Sequence, residues 1–254
     1  MKNLKKIDFI LFIVILSSLL SFSQHNEDIA KAKVSYGVKI HLDKNQGIYK
    51  VVEKYSPGLV NRAETIDSEI DFSLVFNDST SIFYLDKKLF SDKRAASFVI
   101  INSGYFGRIK QQSKNYITEE LQEAFGKFRV SRSYQKWELH EETKMIGDYL
   151  CFKATTSYTT TNLKGKVFKN EFTAWYTPQL PYKFGPAGYG NLPGLIIELQ
   201  GRNFTYGVKK IQFYKSDEES KENKMPKLKR KKLITEIEFE KLAAEDEKRW
   251  RDKH

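Results

Sequence analysis

Ile70, Phe72, Leu74 and Phe76 recur with a period of two, which puts four large apolar side chains on one face of an extended segment. Asn77-Asp78-Ser79-Thr80 follows as a turn cluster and Ser81–Leu85 (SIFYL) returns, so the pattern predicts a β-hairpin. Lys33–Ile40 alternates in the same way and reads as a strand. Further strands are predicted at Lys127–Ser133, Trp137–His140, Asp148–Thr156 and Glu171–Tyr176. Leu195–Leu199 and Phe204–Tyr214 read as an antiparallel pair around the turn Gln200–Asn203. Ser97–Ile109 reads as a strand broken by Gly104 and Gly107, and Thr118 followed by Glu119–Ala124 as a short helix. From Lys215 onwards Lys and Glu dominate. There Thr235 with Glu238 matches a capping box, so a helix is expected from Glu236 to about Arg251. Ile237, Leu242 and Trp250 give that helix only a thin apolar stripe, which predicts a mostly solvated element.

The first residues follow another pattern. Lys2, Lys5 and Lys6 precede Phe9–Leu20, an apolar run of 12 residues. A bilayer-spanning helix needs about 20. Ser21 and Ser23 then supply small residues, so residues 1–23 read as a secretory signal cleaved after Ser23. The expected division is therefore a leader over 1–23, a β-rich domain over 24–214 and a charged tail over 215–254. A chain of this size can bury one sizeable core. Its 18 Phe, 14 Tyr and 3 Trp favour pleated, half-buried surfaces. The expected fold class is mainly β, a β-dominated α+β fold: a curved antiparallel sheet or half-barrel with a charged C-terminal helix.

Charge narrows the partners. The formal net charge of +11 becomes +9 once Lys2, Lys5, Lys6 and Asp8 leave with the leader. A basic exported chain attracts acidic partners. Nucleic acid is not expected outside the cytoplasm, whereas an anionic membrane surface is. The run Lys227–Lys232 (KLKRKK) holds five basic residues in six, and reads either as a solvated linker or as the part that meets such a surface.

Little points to catalysis. The one cysteine, Cys151, has no partner for an internal disulfide and lies between Leu150 and Phe152, so it reads as a small core residue. The four histidines, His25, His41, His140 and His254, are scattered. His140-Glu141-Glu142-Thr143-Lys144 departs from the HExxH pattern at its last position. Nucleophile-elbow, P-loop and dinucleotide fingerprints are absent. Ser133-Tyr134-Gln135-Lys136 fits SxxK without the rest of an acyl-enzyme set. Lys144 and Glu198 could pair as acid and base, although such residues are more often surface charges. No catalytic residue, metal or cofactor is predicted.

Two stretches carry a resemblance. The first runs from Trp137 to Ala154, including Lys144, Tyr149 and Cys151. The second contains Ala174-Trp175-Tyr176, Pro178, Gly185-Pro186 and Asn191-Leu-Pro193-Gly194-Leu-Ile-Ile-Glu198. Together they resemble the GLPGLI family of exported proteins of Gram-negative bacteria, named for the motif that stands here as Asn191–Ile196. Asn191 replaces the first Gly of that name, a mild change because Asn tolerates positive φ. The resemblance implies export and a β-rich fold, and it brings no reaction. Read by itself, Gly185–Leu195 is a Gly- and Pro-dense connection between two apolar strands, expected to hold one rigid conformation. It reads either as a plug over the end of a sheet or as a contact site for a ligand or partner. The contact residues would be Trp175, Tyr176, Tyr182, Phe184, Tyr189 and Pro193. The expected function is a non-catalytic binding or interaction protein of the bacterial envelope, for an apolar ligand or an envelope protein. The rival class is an envelope hydrolase with an unfamiliar site.

Overall fold

A computed structural model describes residues 29–42, 47–120, 126–161, 167–215 and 220–251. The expected leader, residues 1–23, lies outside the described residues. The strands are β1 (Ala32–Ile40), β2 (Asp71–Phe76), β3 (Ser81–Leu85), β4 (Gly107–Gln111), β5 (Asn115–Glu120) and β6 (Phe128–Ser133), followed by β7 (Glu138–Ile146), β8 (Tyr149–Thr161), β9 (Val167–Thr177), β10 (Leu195–Gln200), β11 (Phe204–Phe213) and β12 (Lys232–Thr235). Among the described residues these twelve strands form one open sheet in the order β12-β6-β5-β4-β3-β2-β1-β11-β10-β9-β8-β7. Neighbours are antiparallel except β12, which runs parallel to β6. The fold is mainly β, as the alternating pattern predicts. A twisted sheet of more than about ten strands curls, and here the arms β5–β6 and β8–β9 line the same concavity.

The hairpin at residues 71–85 forms as read, with Phe72 opposite Leu85 and Phe76 opposite Ser81. Ile70, Phe72, Leu74 and Phe76 are all buried. The strand β1 is paired on both edges, with β2 and β11, and its apolar face (Val34, Tyr36, Val38) is buried. Rings knit the centre together: Phe72 stacks on Phe83 at 5.3 Å and meets Tyr206 edge-on at 5.2 Å. Phe204 continues the chain of rings at 5.3 Å from Tyr206. The Tyr36 hydroxyl donates to the Ile196 carbonyl at 2.5 Å and ties the sheet centre to the start of β10.

Two expectations are corrected. Ser97–Ile109 is not an interrupted strand. Helix α3 (Lys93–Asn102) occupies its first part, and β4 begins only at Gly107. The Asp92 carboxylate caps the helix by accepting from the backbone N–H groups of Arg94 and Ala95, both at 2.9 Å. Ala95, Ala96 and Val99 form its buried stripe. The β-branched run Val99-Ile100-Ile101 favours strand locally, and the packed helix overrides it. Thr118–Glu120 is likewise strand, not helix, because β5 pairs with β4 on one side and β6 on the other. The rest of that stretch, residues 121–124, lies outside the described residues.

Residues 41–69 have no element in the pattern reading, yet they hold α1 (Gly47–Tyr55) and α2 (Leu59–Ile66). Leu59, Val60, Ala63 and Ile66 are buried at helical spacing. The Tyr49 hydroxyl donates to Asn102 Oδ1 at 3.2 Å and accepts from Asn203 Nδ2 at 3.2 Å, joining α1 to α3 and to the β10–β11 turn.

The charged segment after Lys215 is built into the sheet. Met225 packs with Ala30, Val75 and Ile82 on the outer face, with Tyr84 and Leu228 at the edge of the cluster. Arg108 Nη1 donates to the Lys227 carbonyl at 3.2 Å, and the Lys229 N–H donates to the Glu119 carboxylate at 3.2 Å. Arg129 Nε donates to the Lys231 carbonyl at 3.1 Å. This strap leads into β12 and then into α4 (Glu236–Arg251). The capping box forms: the Thr235 N–H and hydroxyl donate to Glu238 Oε2 at 2.7 and 2.8 Å, and the Glu238 N–H returns to Thr235 Oγ1 at 3.2 Å. Ile237 is exposed, as a thin stripe implies.

Candidate functional site

The β9–β10 connection sits inside the fold. Gly185, Pro186, Gly188, Tyr189, Gly190, Leu192 and Gly194 are buried. Buried backbone needs partners, and one side chain supplies several. Gln111, fully buried on β4, donates through Nε2 to the Tyr189 carbonyl at 2.9 Å. Its Oε1 accepts from the Ser81 hydroxyl at 3.0 Å and from the Gly185 N–H at 3.3 Å. Trp137 Nε1 donates to the Gly190 carbonyl at 2.9 Å. Asn191 holds φ 63°, the left-handed region that its side chain tolerates. Gly194 does not have positive φ. It is needed because a Cβ there would stand 2.1 Å from the Thr177 carbonyl oxygen. Neither Gln111 nor its role is legible in the local pattern. Its position in an alternating strand marks only an inward-facing polar residue.

Beside this connection lies a concavity of about 900 Å³. Its walls come from β5 and β6 on one side and β8 and β9 on the other. The end of α3, the β10–β11 turn and the first turn of α4 form the rim, and Ala187 and Tyr189 form part of the floor. The lining mixes aromatic rings with amides and charges. Tyr158 is 44% exposed and stacks on Phe172 at 5.7 Å with the rings 12° apart. Phe172 in turn meets Tyr189 at 4.7 Å. Asn170 Nδ2 donates to Thr160 Oγ1 at 3.0 Å. Arg132 Nε lies 3.4 Å from Glu236, and its guanidinium covers the Phe239 ring at 5.6 Å. Burial raises the pKa of Tyr116, Tyr158 and Tyr189, with neighbouring phenols adding to it at Tyr189. At neutral pH these hydroxyls are uncharged and can both donate and accept hydrogen bonds. The carboxylates of the concavity, Glu236 and Glu240, both stand on the rim helix.

The six expected contact residues do not converge. Only Tyr189 lines the concavity. Tyr176 and Phe184 are buried in the core, and Phe184 meets Phe76 at 5.7 Å. Tyr182 is half-buried against Phe76 at 4.5 Å, and Pro193 is exposed at the turn. Trp175 is cross-strand to Glu198 and Lys153 on the opposite face from Phe172 and Ala174. On that outer face Lys144 and Glu198 do meet. Lys144 Nζ lies 2.8 Å from Glu198 Oε1 and 4.3 Å from the Trp175 ring centroid. Gln200 Nε2 donates to the same carboxylate at 2.7 Å. Both charges are thus committed to neighbours, away from the concavity, in an arrangement suited to fixing the sheet surface.

Cys151 is buried beside this pair, and burial pushes its thiol up to about 11. A thiol protonated at neutral pH and closed to solvent is a poor nucleophile. Native protein is expected to react with a thiol reagent far more slowly than protein in denaturant. Cys151→Ala is expected to cost about 1 kcal/mol in a urea melt. Equal labelling rates in the two states would show the thiol to be accessible.

The sequence profile of the family described as "N-glycanase peptide, N-terminal domain", that of PNGase F-II, matches residues 65–237. Among solved structures, the chain is similar to PNGF-II in a P21 crystal form, with 12% identity and a TM-score of 0.47 over 85% of this chain and 34% of that one. It is similar to the C2 form of the same protein with 12% identity and a TM-score of 0.45, over 85% of this chain and 33% of that one. The chain thus spans about a third of the length of these solved proteins. No curated protein matches it by sequence.

Proposed function

The chain belongs to the family of N-glycanase peptide N-terminal domains, and from that premise we propose that it is an exported, non-catalytic binding domain whose ligand is a carbohydrate held in the concavity. The observation that carries the proposal is the lining. Exposed ring faces such as Tyr158 suit the apolar C–H faces of a sugar. The carboxamide of Asn170 and the guanidinium of Arg202 suit its hydroxyls, since planar polar groups can both donate and orient. A wholly apolar ligand would offer these groups no hydrogen-bond partner beyond the Thr160 hydroxyl that Asn170 already meets, and covering them would cost free energy. The Lys-rich start, the 12-residue apolar run and the resemblance to GLPGLI proteins support export.

Calorimetric titration of the mature chain with free N-linked oligosaccharides tests this. Saturable binding is expected. Tyr158→Ala and Asn170→Ala are each expected to weaken it about tenfold, or 1.4 kcal/mol, with little change in melting temperature. Absence of binding to every oligosaccharide, or full affinity in Tyr158→Ala, would count against the concavity as a sugar site. Release of a cleaved product from a glycopeptide would favour the hydrolase.

A further inference from the structure

We infer that the outer face of the strap, β12 and the first turn of α4 is a docking surface for an anionic lipid bilayer. Lys227, Lys229 and Arg230 of the strap are exposed there, whereas Lys232 stands on the side of β12 that Ile234 faces. The strap is held down through its backbone, by Arg108 to the Lys227 carbonyl, by Arg129 to the Lys231 carbonyl and by Glu119 to the Lys229 N–H. That pinning leaves the side chains of Lys227, Lys229 and Arg230 exposed, while Lys231 turns in toward Glu119 and Leu228 packs on the sheet. The two arginines also add charge beneath it.

The acidic groups nearby are already engaged. Glu119 is buried and has the Lys231 ammonium 4.0 Å away. Glu238 caps Thr235, and Glu236 faces Arg132. With Lys227, Lys229, Arg230, Lys231, Arg108 and Arg129 against Glu119, Glu236 and Glu238, the patch is net positive. Two apolar side chains stand beside it: Leu233 is 49% exposed and Ile237 66% exposed. Leu233 is cross-strand to Arg129, which is itself opposite Glu119, so all three share the outer face. Ile234 points the other way and is buried.

Basic residues beside exposed aliphatic ones match the boundary between anionic headgroups and acyl chains, where charge attracts and apolar burial holds. A purely acidic protein partner would find no use for Leu233 and Ile237. The concavity belongs to the opposite face of the sheet, where Tyr116 and Arg132 pair across β5 and β6. A chain lying on a membrane by this patch would keep the concavity free.

Co-sedimentation of the mature chain with phosphatidylcholine vesicles containing about one third phosphatidylglycerol tests the inference. The chain is expected to partition onto these vesicles at low salt and to leave them as salt rises. It should ignore vesicles of phosphatidylcholine alone. The triple variant Lys227→Gln, Lys229→Gln, Arg230→Gln is expected to lose about tenfold or more in partitioning. Leu233→Ser with Ile237→Ser should weaken it at unchanged salt dependence. Unchanged thermal melts would show that the variants are folded. Failure of the wild type to sediment with anionic vesicles, or full partitioning of the triple variant, would overturn the inference. Retention on poly-glutamate without vesicle binding would point to an acidic protein and would equally overturn it.

Discussion

Gly194→Val is expected to destabilise the chain strongly. A Cβ at this position would stand 2.1 Å from the Thr177 carbonyl oxygen, 2.5 Å from its carbon and 2.9 Å from Pro178 N. All three are backbone atoms, so no side chain can swing aside to make room. The backbone is pinned on both sides of the clash. Leu195 pairs with Thr177 across β9 and β10, and its N–H donates to the Leu180 carbonyl at 2.9 Å. Relief would require opening that pairing at the point where the buried connection enters the sheet. The expected cost is about 4 kcal/mol or more, which for a domain of this size lowers the melting temperature by roughly 10 °C. The penalty is steric and not one of backbone conformation, because Gly194 is not in the left-handed region. Gly194→Ala should therefore carry most of it. Gly207→Ala is the control, since a Cβ there meets nothing within 4 Å. Thermal and urea melts check the set. Native-like stability in Gly194→Val would mean that the β9–β10 connection yields where the packing says it cannot.

Gln111→Leu is expected to cost about 3 kcal/mol while keeping nearly the same volume. The substitution strands three groups in the interior: the Ser81 hydroxyl, the Gly185 N–H and the Tyr189 carbonyl. Each unsatisfied buried group costs about 1–3 kcal/mol, partly recovered by local adjustment or an entering water. The effect should be uneven along the chain. Amide exchange is expected to accelerate most at Gly185 and its neighbours, because Gln111 is what fixes that connection to β4. A uniform change, or no change there, would show that the connection holds itself in place without Gln111. Gln111→Glu would keep the acceptor, lose the donor to Tyr189 and bury a carboxylate, so it should be at least as damaging.

Local chemistry determined much of this protein. The alternation of Ile70, Phe72, Leu74 and Phe76 needs only a sheet with one apolar face, so the hairpin was readable wherever it came to lie. The Thr235–Glu238 box is closed between residues three apart and was readable for the same reason. Asn191 was readable as a position able to take positive φ, because that ability belongs to the residue itself. Tertiary structure decided the rest. Val99-Ile100-Ile101 prefers strand in isolation, and only burial of Ala95, Ala96 and Val99 against other elements makes it helix. Trp175 and Tyr176 look equivalent as neighbouring aromatics, yet the register of β9 sends them to opposite faces. The concavity joins Tyr116 and Arg132 to Tyr158 and Phe172, and Gln111 reaches Tyr189, a residue 78 positions away. Periodicity reports which face of an element is apolar. It cannot report which distant element covers that face, because the free energy that chooses the partner arises only when both are packed.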